Sequence, residues 1–229
     1  MIEPGQSRLI FALDVPTLSE AQDVIQRLAS HVGLFKVGLE LFSAAGPDAV
    51  HAITRHGGAG VFLDLKLHDI PTTVERAARA IAALGVRMLT VHAEGGAEMM
   101  GAAVRGAHVC DPDVCVLAVT RLTSQAATVE EVVELARSAE VAGCGGVICA
   151  GTEASAVRKA VSSDFRIVCP GVRPTDSARG DQVRVVTPRQ AFLAGADYVV
   201  VGRPIRDAAD PVQVAQAISA EISRVLGTT

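Results

Sequence analysis

Asp64-Leu65-Lys66-Leu67-His68-Asp69-Ile70 holds the side chains best suited to chemistry. It follows Gly60-Val61-Phe62-Leu63, an apolar run that reads as a buried strand. Side chains alternate along a strand, so Asp64 and Lys66 are expected on one side. Burying an acid and an amine together is costly unless they pair or act. A second lysine has a similar setting, in Leu34-Phe35-Lys36-Val37-Gly38. Of 21 basic residues only Lys36, Lys66 and Lys159 are lysines. Wherever a generic positive charge suffices, the chain uses arginine. A lysine kept inside a strand points to what guanidinium lacks, a transferable proton. The chemistry suggested is proton delivery from an ammonium flanked by carboxylates. The plainer reading is a structural Asp–Lys ion pair, and Lys159 reads as a solvated helix residue.

These side chains need a frame that brings separate strands to one place. The chain has 229 residues, 49 % of them hydrophobic, with no tryptophan and one tyrosine. Its core must be built mainly from Val, Leu, Ile and Ala, which suits parallel strands covered by helices. Strands are predicted over 8–15, 34–41, 60–68, 88–93, 114–122, 146–150, 166–169 and 198–201. Helices are predicted over 18–31, 73–84, 129–142, 188–194 and 212–226, several with a proline at or just before the start. Eight βα units without a break in composition predict a single (β/α)8 TIM barrel over residues 1–229. A doubly wound open sheet is the structural alternative. Barrels of this type place their chemistry at the C-terminal strand ends. Asp14, Lys36, Asp64, Lys66, Thr120 and Thr123 are expected there, with Pro170–Pro174 and Gly202–Ile205.

The connection after the seventh strand is long and carries Arg173, Arg179, Gly180, Asp181, Gln182 and Arg184. Loops of that length are usually lids or binding loops. After the eighth strand, Val201-Gly202-Arg203-Pro204 puts a backbone amide and a guanidinium at one point. Barrels often hold phosphate between these two loops, and an arginine fork suits a phosphate dianion. The plainer reading is a tight turn beside a surface arginine. There is no Gly-x-Gly-x-x-Gly after the first strand and no Walker loop, so a dinucleotide or nucleoside triphosphate is not expected. The histidines lack a zinc spacing. Asp14, Asp64 and Asp69 could bind magnesium, but Lys36 and Lys66 bring two ammonium groups to the same mouth. No metal is therefore expected.

The net charge of −4 and the absence of a basic run give no sign of a nucleic-acid surface. Five cysteines without a Cys-x-x-Cys suit small core residues in a reduced cytosol. Ile2-Glu3-Pro4-Gly5 lacks the basic start and apolar stretch of a secretion signal, and no segment approaches a membrane span. A cytoplasmic protein is expected.

Several motifs, in order along nearly the whole chain, resemble the orotidine 5′-phosphate decarboxylase family of bacterial type. They are Phe11-Ala12-Leu13-Asp14, Phe35-Lys36-Val37-Gly38, Asp64-x-Lys66-x-His68-Asp69-Ile70-Pro71, Pro170-Gly171-Val172-Arg173-Pro174, Gly180-Asp181-Gln182 and Val201-Gly202-Arg203-Pro204-Ile205. The resemblance implies cofactor-free decarboxylation of orotidine 5′-phosphate to UMP, the last step of de novo pyrimidine synthesis. It implies a homodimer with its mouths at the interface. Lys66 would protonate C6, Asp64 would sit against the substrate carboxylate, and Lys36 would join Asp64 and reach the ribose. Asp14 would bind the ribose. Asp69 would reach the partner subunit's ribose, with Ile70 and Thr73 lining that same site. Thr123 would contact the base beneath a small lid at 124–128. Pro170 and Arg173 belong to the mobile-loop side, and Gln182, Gly202 and Arg203 would hold the phosphate. Sister enzymes, 3-keto-gulonate 6-phosphate decarboxylase and hexulose-phosphate synthase, share Asp-x-Lys-x-x-Asp but use magnesium. They are expected to carry an acidic ligand on strand two, where this chain has Lys36. A non-catalytic phospho-ligand-binding barrel is a further alternative.

Overall fold

A computed structural model describes residues 3–122, 127–174 and 186–227. Thr123, Gln182, Arg179, Gly180, Asp181, Arg184 and most of the expected lid at 124–128 lie outside the described residues.

In chain order the elements are α1 (Pro4–Ser7), β1 (Leu9–Ala12), α2 (Leu18–Leu28), β2 (Leu34–Val37), α3 (Leu39–Ala45), α4 (Pro47–His56) and β3 (Gly60–Leu67). Next come α5 (Pro71–Ala82), β4 (Met88–His92), a 3-10 turn (Ala93–Gly95), α6 (Gly96–His108), β5 (Cys115–Val119), α7 (Val129–Val141) and β6 (Gly146–Ile148). The chain continues with α8 (Ala154–Ala160), β7 (Arg166–Pro170), α9 (Pro188–Leu193), β8 (Tyr198–Val201), α10 (Arg203–Arg206) and α11 (Pro211–Leu226). All eight strands are parallel, and β1 pairs with both β2 and β8, so the sheet closes. The expected TIM barrel is found, and the open doubly wound sheet is not.

Strand alternation divides the core in two. Leu9, Phe11, Phe35, Val61, Leu63, Leu89 and Val91 face the helices. Ile10, Leu34, Phe62, Met88, Leu117 and Val168 fill the barrel interior. The next inward positions toward the C-terminal mouth are Lys36, Asp64 and Thr90. Toward this mouth the interior thus changes from apolar to polar, which brings the buried charged groups to the C-terminal strand ends.

Local signals set most helix starts. Thr128 and Glu131 form a reciprocal capping box on α7, and Thr187 and Gln190 do the same on α9. Asp210 accepts from the amides of Val212 and Gln213 to cap α11. Each such cap stabilises its helix by roughly 1 kcal/mol. Pro71 opens α5 two residues earlier than expected, since a proline at the first helical position costs no hydrogen bond.

The second strand is shorter than predicted. It ends at Val37, and Leu39 begins α3 after an N-cap at Gly38. Leu39 and Leu41 sit two apart and read as strand, while Phe42 supplies the helical spacing that prevails. Four of the five cysteines are buried, Cys110 is exposed, and all five are free.

Candidate active site

Asp14 lies just past β1, Lys36 on β2, and Asp64 and Lys66 on β3. Their charged ends form one alternating line. Lys36 Nζ is 3.0 Å from Asp14 Oδ1 and 3.7 Å from Asp64 Oδ2. Lys66 Nζ is 2.8 Å from the same Asp64 oxygen. Asp64 is buried and Lys36 keeps 13 % of its side chain exposed, whereas Lys66 retains 31 % and Asp14 49 %. The inner pair is therefore fixed, and the outer two groups open toward solvent. Gly38 makes room for this line: a Cβ there would sit 3.1 Å from Lys36 Nζ and 3.4 Å from Asp14 Oδ1.

Asp64 and Lys66 meet as expected, but regular alternation does not bring them together. The β3–β4 register shifts between Leu63 and Leu67, so β3 spends four residues where β4 spends two. Within the bulge Lys66 has φ +53°, and it is the one non-glycine with positive φ among the described residues. A left-handed L-residue costs about 1–2 kcal/mol. Bulges re-aim side chains, and strain of this kind collects at functional sites.

The cleft beside the charged line is walled by Pro170, Arg173, Gly202 and Arg203, and its floor reaches Asp14 and Lys36. Gly171, at φ +73°, turns the chain sharply out of β7. Arg173 is buried, and its amide donates to the Val186 carbonyl at 3.0 Å, which closes the base of the long connection. Arg206, which no sequence motif singles out, anchors α10 to the end of β1 by donating to the Asp14 carbonyl at 2.9 Å. Its guanidinium also binds both carboxylate oxygens of Asp207. That hydrogen bonding raises the Arg206 pKa and lowers that of Asp207. Thr120 is buried and ties β5 to β6 by donating to the Ile148 carbonyl at 2.9 Å.

A family model described as "Orotidine 5'-phosphate decarboxylase / HUMPS family" matches residues 7–218. The chain belongs to this family. An orotidine 5′-phosphate decarboxylase of Anaeromyxobacter dehalogenans is 55 % identical over 224 residues, spanning 93 % of this chain and 97 % of that protein. One from Moorella thermoacetica is 47 % identical over 238 residues, spanning 96 % and 94 %. The crystal structure of orotidine 5′-phosphate decarboxylase from Lactobacillus acidophilus superposes with a TM-score of 0.83 at 36 % identity, covering 93 % of this chain and 98 % of that one.

The remaining residues expected from orotidine 5′-phosphate decarboxylases lie outside the charged line. Asp69 is exposed, and one of its carboxylate oxygens accepts from the Ile70 amide at 2.6 Å. Ile70 is 66 % exposed and Thr73 is exposed. None of the three is paired with Lys36 or Lys66 among the described contacts. His68 stacks on His92 with ring centroids 5.3 Å apart. His92 faces Glu94 at 3.3 Å, and Glu94 pairs with Arg121. Burial lowers the His92 pKa, Glu94 opposes this, and His68, Arg121 and Lys66 add to the lowering. Lys159 is exposed on α8, as expected. Among the described residues, no three His, Cys, Asp or Glu side chains converge as a metal site.

Proposed function

We propose that this chain decarboxylates orotidine 5′-phosphate to UMP, with Lys66 delivering the proton that replaces CO2 at C6. The observation that carries this reading is the Lys36–Asp64–Lys66 line. It places two ammonium groups around one buried carboxylate at the strand ends of a barrel. Breaking the bond from C6 to its carboxylate releases CO2 and leaves an electron pair on C6. The Lys66 ammonium meets that charge, and its proton forms the new C–H bond. A unit charge about 4 Å from another is worth roughly 4 kcal/mol at an effective dielectric constant near 20, so the barrier reduction is substantial. Asp64 faces the departing carboxylate and holds Lys66 in place. Lys36 and Asp14 address the ribose.

The phosphate sits against Gly202, Arg203 and Gln182, with Arg173 and Pro170 on the loop side. Its binding energy draws the loop closed and excludes water from the ring. Thr123 contacts the base. Asp69, Ile70 and Thr73 serve the mouth of a second copy in a homodimer, a reading supported by their exposure and by Ile70 as an uncovered apolar side chain. We place the enzyme in the cytoplasm. No helix among the described residues is long and apolar enough to cross a membrane.

Lys36 also disfavours a magnesium-dependent relative, since an ammonium on strand two repels a cation where an acidic ligand would be needed. The test is loss of the orotate absorbance band on adding orotidine 5′-phosphate in excess EDTA, with UMP identified as product. Chelator-resistant conversion is the expected result. No conversion by folded protein would reject the reading, and magnesium-dependent turnover of a sugar phosphate would favour the sister chemistry.

A further inference from the structure

Thr90 is buried on β4, on the inward side of a strand otherwise built from Met88, Leu89, Val91 and His92. Its hydroxyl touches both halves of the Asp64–Lys66 pair. Thr90 Oγ1 accepts from the Lys66 backbone amide at 2.8 Å. The same oxygen donates to Asp64 Oδ1 at 3.0 Å. A hydroxyl has one proton to give, so here it goes to the carboxylate while a lone pair takes the amide. Asp64 Oδ2, the other oxygen, takes the Lys66 ammonium at 2.8 Å. The result is a closed ring: Lys66 amide, Thr90 hydroxyl, Asp64 carboxylate, Lys66 ammonium.

The ring forms where β3 leaves the regular ladder. The register shift between Leu63 and Leu67 takes the Lys66 amide out of the ordinary strand pairing. Leaving this partly buried amide without an acceptor would be costly, and Lys66 is already held at a left-handed φ of +53°. The Thr90 hydroxyl supplies that acceptor from across the bulge, and its proton fixes the plane of the Asp64 carboxylate.

We propose that Thr90 is a positioning residue for the decarboxylation, holding the Lys66 backbone in its left-handed bend and orienting Asp64. The inference rests on the decarboxylase reading for its kinetic consequence, but not for its structural one. Thr90 touches no substrate atom in this role. Its removal should change the chemical step and leave binding alone.

The test compares Thr90→Val, which keeps the shape and loses the hydroxyl, with Thr90→Ser, which keeps the hydroxyl. For Thr90→Val, kcat for orotidine 5′-phosphate should fall about 10²-fold while the Kd for UMP moves less than about threefold, as expected for lost positioning. Thr90→Ser should restore most of the rate. The second readout is amide hydrogen exchange at Lys66 in unliganded protein, which needs no turnover. Protection should drop in Thr90→Val and persist in Thr90→Ser. Unchanged Lys66 protection in Thr90→Val would overturn the inference even if the decarboxylase reading failed. Parent-like kcat in that variant, with an active parent enzyme, would overturn it while leaving the reading intact. If Thr90→Val does not fold, Thr90→Ala takes its place, and a serine variant no better than alanine in both readouts would also overturn it.

Discussion

Replacing Lys66 with glycine should leave the protein more stable than replacing it with alanine. Inside an ordinary strand the order is the reverse, because glycine loses more backbone freedom on folding. Lys66, however, sits at φ +53°. An alanine there retains the left-handed penalty of about 1–2 kcal/mol, which a glycine does not have. Against this, alanine gains about 0.4–1 kcal/mol from its stiffer unfolded chain. Both variants lose the ammonium, so the broken pair with Asp64 cancels in the comparison, and both keep the amide that donates to Thr90. The net difference is about 1 kcal/mol in favour of glycine, or roughly 2–4 °C in Tm for a chain of this size. Scanning calorimetry of the two unliganded variants, with urea unfolding as a check, measures it. An alanine variant equal to or more stable than the glycine variant would refute the claim that Lys66 is held under backbone strain.

Two other perturbations follow from the site. On the proposed function, Arg203→Ala should lower kcat/KM by about two to four orders of magnitude, because it would remove the charge-assisted contact assigned to the phosphate. A change under about tenfold in steady-state kinetics would argue against that assignment. His92 should make the fold sensitive to acid. Its pKa is depressed below 6.5, mainly by burial, so the folded chain favours the neutral ring. The unfolded chain therefore binds a proton first as pH drops. Stability is fully present above 6.5 and is lost as pH falls through the lower folded value. Glu94 opposes the shift, while His68, Arg121 and Lys66 favour it. Urea unfolding across that window should show a shallower loss for His92→Asn than for the parent, and equal slopes would reject the assignment.

Much of the site can be read from the sequence because buried charge is expensive. Lysine and aspartate inside apolar strands stand out against a core of valine, leucine and alanine, and Lys36, Asp64 and Lys66 converge for that reason. The barrel is legible from eight repeated units, and α5, α7 and α9 from Pro71, Thr128 and Pro188 at or near their starts. What escapes the sequence depends on contacts between strands. The bulge at Lys66 is a mismatch between β3 and β4, so neither strand reveals it alone. Thr90 looks like any β-branched strand residue until its partner is known. Arg206 reaches Asp14 across nearly the whole chain. The strand–helix boundary at Gly38 is hidden in the sequence because Leu39 and Leu41 fit both periodicities. The role proposed for Asp69 and Ile70 rests on a second copy of the chain, which the pattern of one chain's sequence does not describe.

In the proposed reaction the Lys66 ammonium supplies the proton while other groups hold the ligand. The decisive variant is Lys66→Ala, with orotidine 5′-phosphate turnover followed by loss of orotate absorbance and UMP binding by calorimetry on the same preparation. Turnover should vanish while UMP still binds. Turnover near the parent rate would rule out Lys66 as the proton donor.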